Sequence, residues 1–171
     1  MSYAIVYDSR TGNTEALARA VAAALPSEGR LAFGRVDEVD RAAVAQADRV
    51  YAGFWTNRGD CGDELAEVLA SLADKDVFLF GTAGFGADET YFAGVMARVA
   101  VHLPESARIV VTFMCQGRMP PSVRARYAQT AEAKPEQAAR MHQLIENFDE
   151  AASHPDDDDL ARLREAVQAA S

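Results

Sequence analysis

Short apolar runs alternate along the chain with longer amphipathic stretches, from residue 2 to about residue 117. Runs rich in β-branched and aromatic residues predict strands, whereas apolar residues recurring every three or four positions predict helices. The predicted strands are 2–7, 30–36, 49–54, 76–80 and 108–114. The predicted helices between them are 13–25, 40–47, 63–72 and 88–103.

Regular alternation of strand and helix predicts a parallel sheet, because right-handed crossovers place helices on both of its faces. The predicted fold class is therefore α/β, a three-layer sandwich around a five-stranded parallel sheet of order 2-1-3-4-5. Such sheets bind ligands at the carboxyl ends of the strands, beside strand 1. The loops after strands 1, 3 and 4 are therefore expected to converge.

After residue 117 the composition changes to Met119-Pro120-Pro121 and then to three further helix-prone stretches. These stretches are 122–133, 135–151 and 157–170. We predict a single domain over residues 1–171, with a core at about 1–117 and a C-terminal helical extension at about 118–171. The aspartate run 156–159 stands where the last helix begins, and carboxylates there favour capping of the helix N-terminus.

The composition limits the possible partners and the compartment. A formal net charge of −9 argues against nucleic acid, whose phosphates are bound mainly through Lys and Arg, and favours partner proteins with basic docking surfaces. No apolar stretch approaches the roughly 20 residues of a membrane helix, and the N-terminus does not resemble a signal peptide, so a cytoplasmic protein without membrane contact is expected. Cys61 and Cys115 lack the spacing of a metal site and are predicted to be thiols.

The first loop carries the densest set of small polar residues in the chain. Its members are Ser9, Arg10, Thr11, Gly12, Asn13 and Thr14. A triphosphate-binding loop requires a Lys after its last glycine, but Asn13 follows Gly12 here, so this kind of site is excluded. A dinucleotide-binding fingerprint requires three glycines, and this loop has one. The loop also lacks the Cys of a phosphatase, and strand 3 ends in Gly53-Phe54 where a phosphorylated receiver would place an acceptor Asp.

A terminal phosphate monoester remains as the ligand of the first loop. Hydroxyl groups, the Asn13 side chain and N–H groups at a helix N-terminus would hold it without a cation. Arg10 either compensates its charge or points to solvent. The same residues are also favoured in an ordinary strand-turn-helix cap, so the loop alone leaves both interpretations open.

Two further segments indicate a flat ring system beside the phosphate. The candidates after strand 3 are Trp55, Thr56, Asn57, Gly59, Asp60 and Cys61, and those after strand 4 are Thr82, Ala83, Gly84, Phe85 and Gly86. Trp55 is the single tryptophan and stands among polar residues, where an aromatic platform is a better role than core packing. No His is near Cys61 in sequence to activate it, so packing at a helix N-terminus is expected for this thiol. His102, His142 and His154 show no carboxylate or cysteine partner by spacing and are expected to be structural or solvated.

These motifs resemble the flavodoxin family. The run 9–14 matches the family's phosphate sequence [ST]-x-T-G-N-T, Trp55 resembles the aromatic residue that stacks on the flavin, and 81–86 resembles the loop on its other side. The resemblance covers about residues 2–117 and is closest to short-chain flavodoxins. Family members usually place a Tyr in the loop after strand 4, a position that Phe85 or Tyr91 would fill here.

The resemblance implies non-covalent FMN and electron transfer between a reductase and an acceptor enzyme. Two alternatives stay open: an FMN-dependent reductase of a small molecule, of quinone or tetrapyrrole type, that uses NAD(P)H, and a flavin-free interaction protein on the same fold. No metal is implied. The helical extension is expected to cover the sheet, to form a homodimer surface or to gate access to the flavin.

Overall fold

The computed structural model describes residues 1–86 and 88–171. Its strands are β1 (Tyr3–Tyr7), β2 (Arg30–Arg35), β3 (Arg49–Trp55), β4 (Asp76–Ala83) and β5 (Arg108–Gln116). Its α-helices are α1 (Asn13–Ala24), α2 (Arg41–Gln46), α3 (Asp63–Ala70), α4 (Glu89–Ala100), α5 (Pro121–Ala133), α6 (Ala138–Ala151) and α7 (Asp157–Ala169). A 3-10 turn, Pro135–Gln137, joins α5 to α6.

The five strands form one sheet of order β2-β1-β3-β4-β5, and every neighbouring pair is parallel, which confirms the predicted fold class. Tyr7 at the end of β1 lies opposite Gly53 of β3. Trp55, two residues further along β3, lies opposite Thr82 of β4. The register therefore places the ends of β1, β3 and β4 side by side, as the predicted strand order required.

Apolar side chains fill both faces of the sheet. On one face, residues of α2, α3 and α4 pack against the sheet, with Leu65, Leu69 and Val99 fully buried. On the other face, α1 shares the core with α7, whose Leu163 and Val167 are fully buried. The last helix of the extension thus covers the sheet, one of the three roles that the sequence left open.

Two glycines of the central strands give space to phenylalanine rings on the neighbouring strand. Gly53 is paired with Phe80, and Gly81 is paired with Phe54. A Cβ at Gly53 would lie 2.3 Å from the Phe80 ring, and one at Gly81 would lie 2.5 Å from the Phe54 ring. The prediction that residues 81–83 belong to a loop is therefore wrong: they continue β4, where Gly81 serves ring packing rather than a turn.

The remainder of the extension forms a helical hairpin. Helix α5, all of whose residues are described, has no buried side chain and packs against α6. Helix α6 buries Met141 and Phe148. Among residues 1–86 and 88–171, no helix is both long enough and apolar enough to cross a membrane.

The aspartate run at the start of α7 forms a cap, as predicted. Asp156 accepts a hydrogen bond from the backbone N–H of Asp159 at 2.9 Å, and Asp159 accepts one from the N–H of Asp156 at 3.1 Å. This reciprocal pair is a capping box, which satisfies two donors that the helix itself leaves unpaired. The cap fixes the point at which the chain turns to cover the sheet.

Candidate functional site

The first loop forms an open cradle at the N-terminus of α1. Gly12 has a φ of 86°, in the left-handed region that glycine favours, and no atom lies within 4 Å of a Cβ added there. Ser9 is 4% exposed, and its Oγ accepts a hydrogen bond from the N–H of Glu15 at 3.2 Å. Because the first N–H groups of a helix have no carbonyl partner within it, this open space faces unpaired donors.

Asn13 joins the cradle to the beginning of the extension. Its Nδ2 donates to Thr11 Oγ1 at 3.0 Å and to the carbonyl of Arg118 at 2.9 Å. A Cβ at Gly117 would lie 2.5 Å from the same nitrogen, so only glycine allows this approach. Both amide hydrogens of Asn13 are thus used within the protein, while the Thr11 hydroxyl, which accepts one of them, keeps its own hydrogen for a ligand.

A buried hydroxyl pair joins the cradle to β4. Thr14 Oγ1 lies 3.0 Å from Thr82 Oγ1, and the two residues are 0% and 3% exposed. This contact spans 68 positions of sequence. The first loop and the third segment, residues 82–86, therefore meet through one sequence-predicted residue of each, Thr14 and Thr82.

Trp55, the last residue of β3, lies between the cradle and the second loop, which is the loop that follows β3. Its Nε1 donates to Asp8 Oδ2 at 3.0 Å, and the guanidinium carbon of Arg10 lies 5.5 Å from the indole centroid. Arg10 is exposed to solvent, one of the two orientations that the sequence left open, and it also makes a cation–π contact with the indole. Burial raises the pKa of Asp8, and the Trp55 hydrogen bond partly offsets that rise.

The second loop is a tight two-residue turn. Asn57 and Asp60 exchange backbone hydrogen bonds of 2.7 and 3.0 Å, and the two residues between them both have positive φ, 52° at Arg58 and 86° at Gly59. Positive φ at both central positions is the requirement of a type I′ turn. The side chain of Arg98, from α4, approaches the carbonyl of Gly59 at 3.5 Å. A Cβ at Gly59 would lie 2.3 Å from Arg98 Nη1, so the turn fits closely against this side chain.

Two of the three histidines have a carboxylate partner that their spacing in the sequence did not indicate, one beside this turn and one at the start of α7. His102 Nε2 lies 3.0 Å from Asp60 Oδ1, and His154 Nδ1 lies 2.5 Å from Asp159 Oδ2. Cys61 is 7% exposed, and burial raises the pKa of its thiol to about 12, which matches the predicted packing role.

Phe85, one of the two proposed second aromatic residues, is 49% exposed. Its ring meets the Tyr91 ring edge-on, with centroids 5.7 Å apart. Gly86 has a φ of 73°, and a Cβ there would lie 2.7 Å from the Tyr91 ring. Phe85 and Tyr91 therefore form one aromatic pair at the end of the third segment.

Three residues of the site were not selected at the sequence level, Asp8, Arg98 and Asn147, and a fourth, His102, was expected only to be structural or solvated. Asp8 directly follows β1, so its place at the carboxyl edge of the sheet was a usable signal. Arg98 on α4, His102 just after α4 and Asn147 on α6 contact the loops across 39 to 63 positions of sequence, and no local pattern marks these contacts.

The residues present fit a group that carries one phosphate and a polar ring. Gly12 leaves open space before a helix N-terminus, and the Ser9 and Thr11 hydroxyls border it. Within the described part of the chain, two buried side-chain oxygens of these loops have no hydrogen-bond partner: Asn13 Oδ1 and Thr56 Oγ1. Buried polar atoms are normally paired, so these two indicate a polar ligand at this edge of the sheet.

Comparison with known proteins agrees with this geometry. The flavodoxin domain family matches residues 4–168. A flavodoxin-like domain-containing protein BilS from Clostridium symbiosum is 37% identical over 96% of this chain and 93% of its own, and one from Clostridioides difficile is 26% identical over 94% and 90%. The crystal structure of oxidised flavodoxin 2 from Bacillus cereus covers 99% of this chain and 97% of its own with a TM-score of 0.57, and its 17% identity shows the fold alone. The chain belongs to the flavodoxin domain family.

Proposed function

We propose that this protein is an electron carrier that binds FMN and passes electrons between a reductase and an acceptor enzyme. The observation that carries the proposal is the meeting of a hydroxyl-lined phosphate cradle with an indole at one sheet edge, through the Thr14–Thr82 and Trp55–Asp8 contacts. Membership in the flavodoxin domain family supports FMN as the cofactor, as the resemblance implied.

The residues of the site divide between the two ends of such a cofactor. Ser9 Oγ and Thr11 Oγ1 each already accept a hydrogen bond, so each retains a hydrogen that can be donated to a phosphate oxygen. Asp8 fixes the orientation of the Trp55 ring through the indole N–H. The bound flavin would supply the redox chemistry, while the protein supplies binding, orientation and electrostatics.

The titratable groups beside the second loop favour a carrier over an enzyme with its own catalytic residues. The Cys61 thiol stays protonated at neutral pH because its pKa is raised to about 12. The His102 ring, just after α4, is bonded to the Asp60 carboxylate at 3.0 Å. The protonated Cys61 thiol is thus a poor nucleophile toward a small substrate.

The partners follow from charge. A net charge of −9 favours redox partners with basic docking surfaces, since opposite charge speeds the encounter of two proteins. Helix α5 has no buried residue, so its exposed side offers a surface for a homodimer formed through the C-terminal helices. This homodimer is proposed in addition to the redox partners.

A coupled assay tests the carrier function. The FMN-loaded protein is mixed with NADPH, with a flavodoxin reductase and with cytochrome c as the acceptor, and each component is omitted in turn. A carrier reduces cytochrome c only when both the reductase and the FMN-loaded protein are present, and the rate falls as salt is raised because docking is electrostatic.

Two results would overturn the proposal. Steady oxidation of NAD(P)H by the FMN-loaded protein alone, with a quinone or tetrapyrrole as acceptor, would make it a reductase. Failure of the purified protein to take up any flavin would leave an interaction protein on this fold.

A further inference from the structure

One side chain of the extension holds the backbone on both sides of Phe85. Asn147, on α6, donates from Nδ2 to the carbonyl of Gly84 at 2.8 Å, and its Oδ1 accepts from the N–H of Gly86 at 3.2 Å. The same oxygen accepts from Nε2 of Gln116 at 3.2 Å. The amide of one side chain therefore makes hydrogen bonds with a backbone carbonyl and a backbone N–H of residues 84–86, as a neighbouring strand would.

The other contacts of this segment do not replace that amide. Phe85 is 49% exposed and gains little fixation from burial. Gly84 faces the flexible side chain of Met119, and a Cβ added at Gly84 would lie 2.4 Å from that side chain. Gly86 faces the ring of Tyr91. The hydrogen bond from the N–H of Gly117 to the carbonyl of Ala83 continues the pairing of β5 with β4 by one residue, and this pairing ends before Gly84.

Gln116 supports the amide from the sheet. It is the last residue of β5 and is 4% exposed, so its side chain is held on a rigid element. Because Gln116 donates to Asn147 Oδ1, the orientation of the Asn147 amide is fixed, with its oxygen toward Gly86 and its nitrogen toward Gly84. The network thus connects β5, α6 and the third segment.

We infer that Asn147 is a positioning residue for the flavin ring, through its hold on the backbone of residues 84–86. The inference rests on the proposed function, because it concerns the segment beside the ring of the proposed cofactor. Backbone dipoles near a flavin influence both its affinity and its reduction potential. A residue of the helical extension therefore tunes a site whose phosphate cradle and Trp55 lie in the first 55 residues of the chain.

The test uses Asn147→Leu, which removes the hydrogen bonds to Gly84, Gly86 and Gln116 at similar size, and Asn147→Asp, which keeps the Gly86 bond but turns a second oxygen toward the Gly84 carbonyl. Glu146→Ala is the control, because Glu146 is an exposed neighbour on the same helix. The first measurement is hydrogen exchange of the Gly86 amide in the apoprotein. We expect exchange to quicken about fivefold or more in Asn147→Leu, the loss of about one hydrogen bond, and to stay unchanged in Glu146→Ala.

The second measurement is the affinity for FMN and for riboflavin, followed by the midpoint potential of the bound flavin. Since Asn147 acts on the ring side, Asn147→Leu should weaken both ligands by the same factor, about fivefold to tenfold, and change the potential. Thr11→Ala provides the contrast, because a phosphate contact should affect FMN and spare riboflavin.

Unchanged affinity and potential in Asn147→Leu would overturn the inference, even if its thermal stability falls, because the side chain would then be merely structural. Unchanged Gly86 exchange would overturn it as well. If the wild-type protein takes up no flavin, the proposed function fails together with the claim about the ring, and the exchange comparison still shows whether Asn147 holds the segment.

Discussion

Helix α7 should be required for the stability of the whole domain, and Leu163→Ala is the direct test. Leu163 is fully buried in the core between α7, α1 and the sheet. Replacing a buried Leu by Ala removes its transfer free energy and leaves a cavity, which together cost about 2–5 kcal/mol. Because α7 lies on the outside of the domain and can partly close the cavity, we expect a loss of about 3 kcal/mol.

Urea unfolding followed by circular dichroism measures this loss. With a slope of about 2 kcal/mol per molar urea, a loss of 3 kcal/mol lowers the unfolding midpoint by about 1.5 M. Arg164→Ala is the matched control, since Arg164 is exposed on the same helix, and its midpoint should shift by no more than about 0.25 M. Because α7 packs against α1, whose N-terminus forms the cradle, FMN affinity should also fall in the Leu163 variant.

A midpoint in Leu163→Ala within about 0.25 M of the wild type would refute this reasoning. It would mean that α7 does not cover the sheet in solution. The face of the sheet that carries Tyr51 and Phe78 would then need another cover, because both rings are buried there.

Three further predictions follow from single contacts. Gly81→Ala should cost about 1–3 kcal/mol in urea unfolding, because the new Cβ would lie 2.5 Å from the Phe54 ring, whereas Gly94→Ala, at a helical glycine with open space, should not destabilise. Burial raises the pKa of Asp8 in the folded protein, so the folded state holds this proton more tightly and stability falls as pH rises through that pKa. Asp8→Asn removes this fall, so its melting temperature relative to the wild type should rise as pH is raised above about 4, the ordinary pKa of an aspartate, and a difference that stays constant with pH would contradict the argument. Iodoacetamide at about pH 8 should leave Cys61 unmodified in the folded protein and alkylate it in urea, because burial raises its pKa to about 12, and rapid labelling without urea would show an exposed thiolate.

The sequence allowed the fold to be predicted in nearly complete form, since each strand and helix carries its own periodicity. The phosphate loop was equally accessible, because its residues are consecutive. The end of β4 was placed too early, since a glycine-rich run is typical of loops. The space that Phe54 needs above Gly81 becomes visible only when two strands are paired.

Contacts between distant segments could not be predicted from local patterns. The His102–Asp60 pair joins residues 42 positions apart, and Asn147 contacts Gly84 across 63 positions. Such pairs depend on how α4 and α6 are placed against the sheet edge, and their residue types are common on exposed helical faces. The sequence predicts the cradle, and the structure adds the side chains that support it.

The most direct test of the account is calorimetric titration of the apoprotein with FMN and, separately, with riboflavin. The cradle should bind the phosphate through hydroxyl and backbone donors, and hydrogen bonds to a charged group contribute about 1.5–3 kcal/mol each. We therefore predict one FMN per chain, bound at least about tenfold more tightly than riboflavin, with most of that difference lost in Thr11→Ala. Equal affinities for FMN and riboflavin, or no binding of either, would contradict the assignment of residues 9–14 as the phosphate site.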